Sequence, residues 1–482
     1  MIRIRDAFER APVSILEPAT WRLTALVAPI AFVAAVCVHV FVLERFPNSG
    51  DEYAYLWQAS AFADGAVTAA TPEPQDAFRL SHIGDVDGRR FSKYPPGWPL
   101  LLAAGVLAGV PGLVNPLLAA LALAGIYRLG CSWIGRRPAT LGILVTLIAP
   151  FFLLNAGSYH SHPSCLFAIT ALALALTWAA ERPGSRPLMI AGASFGLAVL
   201  IRPYTALLFA VPLLAAFAPD LLRTRRRWLH LLWFVVGGIP FALFLLNVNL
   251  AVTGTWWTLA WSQYDASETL GFGAYGHTLL QGVKTTVRLC GEGALYTSFF
   301  GAILVVLARG RAFPHRRLLW VLLFAPVLGY VFWWSHGGNR YGPRFYFEAL
   351  LPFSLLAGVG LDRLSTWPRF RALAGAGACV AVVTFAVLSV SEHRQIHARR
   401  DVYRTVDAAA LTNAVVLLTT ASSDMVRTDL TRNPPEFARA RVLFGLSRGA
   451  FDREVQEAYP DRTVYRYRWD PEGGAIWPAK LE

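Results

Sequence analysis

The chain has 482 residues, 55% of them hydrophobic and only 16% charged, with 16 Trp and 30 Phe. A soluble protein carries about 25% charged residues, so the composition excludes an ordinary soluble globular protein and points to one that crosses a membrane many times. The net charge of +13 does not imply nucleic acid, because the arginines cluster in short loops between apolar runs, as membrane orientation requires.

The first apolar run, about 23–43, is too long for the h-region of a signal peptide and is expected to span. Further spans are expected at about 115–134, 139–156, 163–180, 187–201, 203–219, 229–250, 293–308, 318–334, 345–361 and 372–390. The apolar stretch Pro95–Val110 is shorter and opens on three prolines, Pro95, Pro96 and Pro99. If it crossed, Arg136, Arg137 and every later basic cluster would fall on the side opposite Arg3, Arg5 and Arg10. If it lies in the interface or re-enters, all of them fall on the cytoplasmic side, and the positive-inside rule selects that topology. The expectation is about eleven spans, interfacial helices, a cytoplasmic N-terminus and an extracytoplasmic C-terminus.

That topology gathers the unusual polar residues on one face. Asp51 and Glu52 follow the first span, at the start of an expected amphipathic helix that carries Tyr53 and Tyr55. Acids complement any helix start; a carboxylate beside an acceptor hydroxyl can also act as general base. Lys93 and Tyr94 precede Pro95-Pro96, which stiffens the chain and fixes where the lysine points. A lysine here can snorkel to lipid phosphates or bind the phosphate of a lipid-linked substrate.

His160 and His162 share a turn. Substrate contact is favoured over metal, because the spacing is not the helical i, i+4 pair. Arg202 lies between two apolar runs; charge at membrane depth usually lines a polar cavity, although Pro203 also allows an interfacial helix end. The loop at 252–292, rich in Trp and Tyr, can anchor at the interface or cover a substrate. His336, Arg340, Tyr341, Arg344 and Tyr346 form one late turn; an aromatic belt accounts for its tyrosines but not for its two arginines. Five cysteines without a CxxC pair imply neither a disulfide framework nor a zinc site. The tail from 391 alternates short β-like runs (415–418, 441–446, 463–469) with helical stretches (401–411, 450–458), the pattern of a small α/β domain.

The acidic pair after the first span, the Lys93-x-Pro95-Pro96 segment, the late Arg-Tyr-x-x-Arg-Phe turn and a soluble tail resemble the GT-C glycosyltransferases, in particular the branch of protein O-mannosyltransferases and lipid A aminoarabinose transferases. The chain departs from that branch at Ser92, where an acid precedes the lysine, and at His160-Ser-His162, where an Asp often stands. The resemblance implies a mainly α, GT-C-type polytopic fold, with a transmembrane catalytic domain at 1–390 (first outer loop 44–114) and an extracytoplasmic α/β domain at 391–482. It implies transfer of a sugar from a polyprenyl-phosphate donor to a hydroxyl of a lipid, protein or polysaccharide acceptor, on the outer face of the cytoplasmic membrane. Asp51 is then the base and Glu52 its support. Lys93, Arg340 and Arg344 bind the donor phosphate, and Tyr53, Tyr55, Tyr94, His160, His162, Arg202, His336, Tyr341 and Tyr346 contact substrate. No cofactor is required by these residues, and a divalent metal stays open. The competing readings are a transporter or flippase of a lipid-linked glycan, which would show inverted repeats and mid-membrane charges, and a non-catalytic glycan-lipid binding protein.

Overall fold

Apolar runs in lipid must satisfy their own backbone groups, and helices do so within one segment. A computed structural model describes residues 13–222, 227–335, 337, 341–419, 429–449, 452–468 and 475–478. Helix α1 (Pro18–Cys37) runs into a π-helical turn at Val38–Val42. Helix α2 (Gly50–Ala63) follows, then strands β1 (Ala69–Ala70), β2 (Ile83–Val86) and β3 (Arg89–Ser92), and helix α3 (Gly97–Leu107). Next come α4 (Val114–Trp133), α5 (Arg136–Leu147), α6 (Pro150–Gly157), α7 (His162–Glu181), α8 (Ser185–Ile201), α9 (Pro203–Leu222) and α10 (Arg227–Thr253). They are followed by α11 (Ala260–Tyr264), α12 (Leu279–Tyr296), α13 (Phe300–Ala308), α14 (Arg316–Gly329), α15 (Leu350–Leu364) and α16 (Phe370–Ala408). The tail adds β4 (Ala414–Thr419), β5 (Val442–Leu446), α17 (Asp452–Ala458), β6 (Thr463–Arg468) and β7 (Ala475–Pro478).

Among the described residues, seven helices are long and apolar enough to cross a membrane, or up to nine if each bent pair is one span. The protein is thus a mostly helical, multi-pass membrane protein with fewer clear spans than the eleven or so expected. The runs at 139–156 and 293–308 are bent pairs, by 64° at Pro150 and by 105° between α12 and α13. At the second bend Ser298 and Phe299 take positive φ, 65° and 54°. The runs at 187–201 and 318–334 form helices of 17 and 14 residues, short of the roughly 20 that a crossing needs. Helix α3, with 11 residues, is shorter still. The expected separate helix at 401–411 does not exist: α16 continues unbroken for 39 residues.

Close contacts divide the chain into two compact units: residues 1–42, 112–245 and 267–390, and residues 43–111, 246–266 and 391–482. In the first unit, small residues let helices touch. A Cβ on Gly142 of α5 would lie 2.0 Å from the Ser354 carbonyl of α15, and one on Gly358 would lie 2.0 Å from the Pro138 carbonyl, the close backbone approach that membrane helices use. Thr146 and Ser354 share a 2.6 Å hydrogen bond at that contact.

In the second unit, β4 runs parallel to β5 and β6, and β7 closes the edge antiparallel to β6, in the order β5-β4-β6-β7. Side chains alternate between the two faces. Val415, Leu417, Leu443 and Val464 pack with Val455 and with Ala77 and Phe78 of the 43–111 segment. Val416, Leu418, Phe444 and Tyr467 pack against Val402 and Val406 of α16 and against Leu430. The tail sheet and the segment carrying Asp51 therefore share one core. Within that segment, β2 and β3 form a hairpin across Asp87 and Gly88, both at positive φ (50° and 72°). Asp-Gly supplies this turn geometry.

Candidate functional site

In the second unit, the start of α2 sets two adjacent acids to different work. Ser49 caps the helix: its hydroxyl accepts from the Glu52 amide at 3.3 Å. The Glu52 carboxylate returns, accepting from the Asn48 amide at 2.9 Å and the Ser49 hydroxyl at 3.1 Å. Ser49 is thus the side-chain cap of α2, and the fully buried Glu52 ties the two residues before the helix to its first turn. Asp51, one residue earlier, turns the other way. Its Oδ1 accepts a hydrogen bond from the Tyr94 hydroxyl and lies 3.6 Å from His82 Nε2.

The residues around Asp51 come from loops that sequence spacing does not connect. The Tyr94 ring packs on Tyr55 at 4.6 Å and on His82 at 5.4 Å. The Lys93 ammonium sits 5.5 Å from the centre of the Tyr94 ring and 5.3 Å from that of Tyr264, within reach of cation–π attraction. The Lys93 amide donates to the His82 carbonyl at 3.0 Å, so backbone and ring both fix the lysine. Asp51, Lys93, Tyr94 and Tyr55 thus form one group with His82 and Tyr264.

A second layer comes from the tail. Gly50 leaves no room for a side chain: a Cβ there would lie 2.5 Å from Asp429 Oδ1 and 2.9 Å from Ser81 Cβ. The Tyr53 hydroxyl donates to the Asn433 carbonyl at 2.8 Å. Burial, with Tyr403 beside it, pushes the Tyr53 phenol above its ordinary value, so it stays a proton donor. The buried Arg432 guanidinium is lodged among aromatic rings, 4.3 Å from Phe46, 5.1 Å from Tyr53 and 5.7 Å from Tyr403. Arg399 donates to the Asn48 carbonyl at 2.8 Å and lies 3.6 Å from Asp429. Tyr53 therefore anchors the start of α2 to the tail.

The first unit holds a second polar cluster, buried among apolar helices. Asn115 fixes the turn before α7, donating to the carbonyls of Ser158 and His160 at 2.7 and 2.8 Å. Arg344 Nη1 lies 2.7 and 3.0 Å from the two ring nitrogens of His160, and its Nε donates to the Gly337 carbonyl. Arg202, which ends α8, lies 3.4 Å from Glu348 Oε1 and donates to Tyr330 at 3.1 Å and Thr205 at 3.2 Å. His162 Nδ1 is 3.6 Å from the same Glu348 oxygen. Tyr341 is fully buried, and its carbonyl accepts from Asn155 at 2.9 Å; Tyr346 packs with Tyr330. His336 and Arg340 lie outside the described residues.

Glu348 was not singled out in the sequence. It sits four residues after Arg344, inside a run that reads as apolar, yet its carboxylate is fully buried. A buried ionisable residue in a membrane helix is expensive and marks a polar path or a substrate contact.

Residues 103–251 match the family model described as dolichyl-phosphate-mannose-protein mannosyltransferase. No curated protein matches the chain in sequence. The structure of ArnT from Cupriavidus metallidurans bound to undecaprenyl phosphate is similar over 95% of this chain and 94% of that one, with 13% identity and a TM-score of 0.56. The apo form of the same protein is similar over 94% and 93%, with 14% identity and a TM-score of 0.55. An oligosaccharyltransferase from Archaeoglobus fulgidus, solved with Zn and sulfate, follows at a TM-score of 0.47, with 15% identity over 91% of this chain and 67% of that one. This chain carries the fold of that ArnT structure.

Proposed function

We propose that the protein transfers a sugar from a polyprenyl-phosphate donor to an acceptor hydroxyl, with Asp51 as general base. The observation that carries this reading is the Asp51 carboxylate, held in the first turn of α2 by the Tyr94 hydroxyl, with the Lys93 ammonium 5.5 Å from the centre of the Tyr94 ring. The acceptor oxygen attacks the anomeric carbon while its proton passes to Asp51. The bond from that carbon to the phosphate oxygen breaks, and the lipid phosphate leaves with the electron pair. Lys93 meets the negative charge that develops there. The Tyr94 and Tyr264 rings, within cation–π reach of the ammonium, hold it in place. Undecaprenyl phosphate bound to a relative of the same fold supports a lipid-phosphate donor.

Glu52, through the cap, positions Asp51. In the other unit, His160, His162, Arg202 and Arg344 with Tyr341 and Tyr346 are assigned to substrate contact, and Glu348 to holding Arg202 and His162. One base with no carboxylate nucleophile favours a single displacement with inversion. The reaction is placed on the outer face of the cytoplasmic membrane, because that is where the positive-inside rule puts Asp51 and Lys93. Binding of undecaprenyl phosphate to purified protein tests the role of Lys93. Lys93→Ala is expected to weaken it about tenfold or more; unchanged binding would remove Lys93 from the phosphate.

A further inference from the structure

Glu44 and Arg45, just after the first span, both take left-handed backbone conformations, with φ of 50° and 56°. Side-chain-bearing residues hold that conformation only where surrounding contacts impose it, and such places gather at functional sites. Here the turn delivers the Glu44 carboxylate, 9% exposed, to α16. It meets His393 and His397, whose i, i+4 spacing puts both rings on one face of the helix. Glu44 Oε1 lies 3.6 Å from His393 Nε2 and 3.3 Å from His397 Nδ1. One ligand atom from each of the three side chains falls within 4.8 Å of the other two.

The second carboxylate oxygen is already engaged. Oε2 accepts from Arg400 at 2.9 Å and from Arg404 at 2.8 Å, which leaves Oε1 to the histidines. Metal-binding carboxylates are commonly oriented by outer partners in this way. Arg404 also approaches His397, but its Nη1 is 2.7 Å from Nδ1 and 2.9 Å from Nε2. An ion at His397 Nδ1 therefore displaces that guanidinium nitrogen, while Arg404 keeps its bond to Glu44 through Nη2.

We propose that Glu44, His393 and His397 bind a transition-metal dication of the zinc class, with a remaining position open to water. The ligand set selects the ion. Two guanidiniums face one carboxylate, so the ion must be held largely by imidazole nitrogen, which suits zinc, nickel or copper and not calcium or magnesium. The histidines are 45% and 59% exposed, so the ion reaches them from solvent. Bound there, it clips the segment that leads into α2 onto α16. This site is independent of the role given to Asp51.

The test uses the full chain, purified in detergent with a tag that contains no histidine, titrated with zinc by calorimetry and with cobalt by visible absorption. One equivalent should bind saturably, with cobalt d–d bands and no thiolate band. His393→Gln and His397→Gln should each weaken binding about tenfold or more. Zinc should raise the melting temperature of the parent protein but not of His393→Gln. Both rings are about half exposed, so these substitutions leave the core intact. Absence of saturable binding, binding unchanged in both variants, or binding lost instead in His160→Gln would overturn the proposal.

Discussion

Asp51 and Glu52 are neighbours in the chain but not in chemistry. The Ser49-x-x-Glu52 spacing is a helix-cap signature: Ser49 caps the helix, while the Glu52 carboxylate takes the Asn48 amide and the Ser49 hydroxyl. Glu52→Ala takes this acceptor from a buried amide and hydroxyl and is therefore expected to cost about 1–3 kcal/mol of stability, read as a lower melting temperature. Tyr94→Phe removes the hydroxyl that donates to Asp51 while keeping the ring against Tyr55. It should lower kcat by roughly tenfold for a loss of about 1.4 kcal/mol and leave the melting temperature nearly unchanged. Gly50→Ala would push a methyl group to 2.5 Å from Asp429 Oδ1. Overpacking of this kind costs about 1–3 kcal/mol, so this variant should lose stability where Tyr94→Phe does not. Asp51, Lys93 and Tyr94 were legible because local chemistry marks them: acids at a helix start, a lysine braced by prolines. Asp429 and Glu348 were not. The first is brought to Gly50 from 379 positions along the chain, and the second hides within an apolar run.

At the scale of elements, the long apolar runs were readable because hydropathy alone decides them, while their breaks were not. The bend between α12 and α13 rests on two positive-φ residues, Ser298 and Phe299, which no composition signals. The β2–β3 hairpin has a readable sign, Asp87-Gly88 between two four-residue strands, but it lies within the first outer loop, where interfacial helices are expected. The Arg202–Glu348 pair is an element-scale contact, joining the α8–α9 junction to the turn before α15. Removing one partner of a buried ion pair leaves the other charge uncompensated, at about 3–5 kcal/mol. Glu348→Ala should thus lower the thermal stability of the detergent-purified protein sharply. The double variant Glu348→Ala, Arg202→Met should recover much of the loss, and a double variant no better than the single would contradict the pairing.

At the scale of the molecule, the tail is not an appendage to the segment that carries Asp51. Phe78 is fully buried in the same cluster as Val415, Leu443 and Val464, so residues 43–111 complete one face of the tail sheet. Truncation after residue 408 should expose Phe78 and make the 43–111 segment protease-sensitive; a truncated protein with the parent cleavage pattern would contradict the shared core. The tail's strands were legible from β-branched runs, but its partner was not, since periodicity marks a buried face without naming what covers it. The central claim is that Asp51 carries the base function, and the initial rate of sugar transfer from a labelled polyprenyl-phosphate donor tests it most directly. Asp51→Asn, matched to the parent protein for expression and donor binding, is predicted to lose about 10²–10⁴-fold in rate, whereas transfer at the parent rate would contradict the claim.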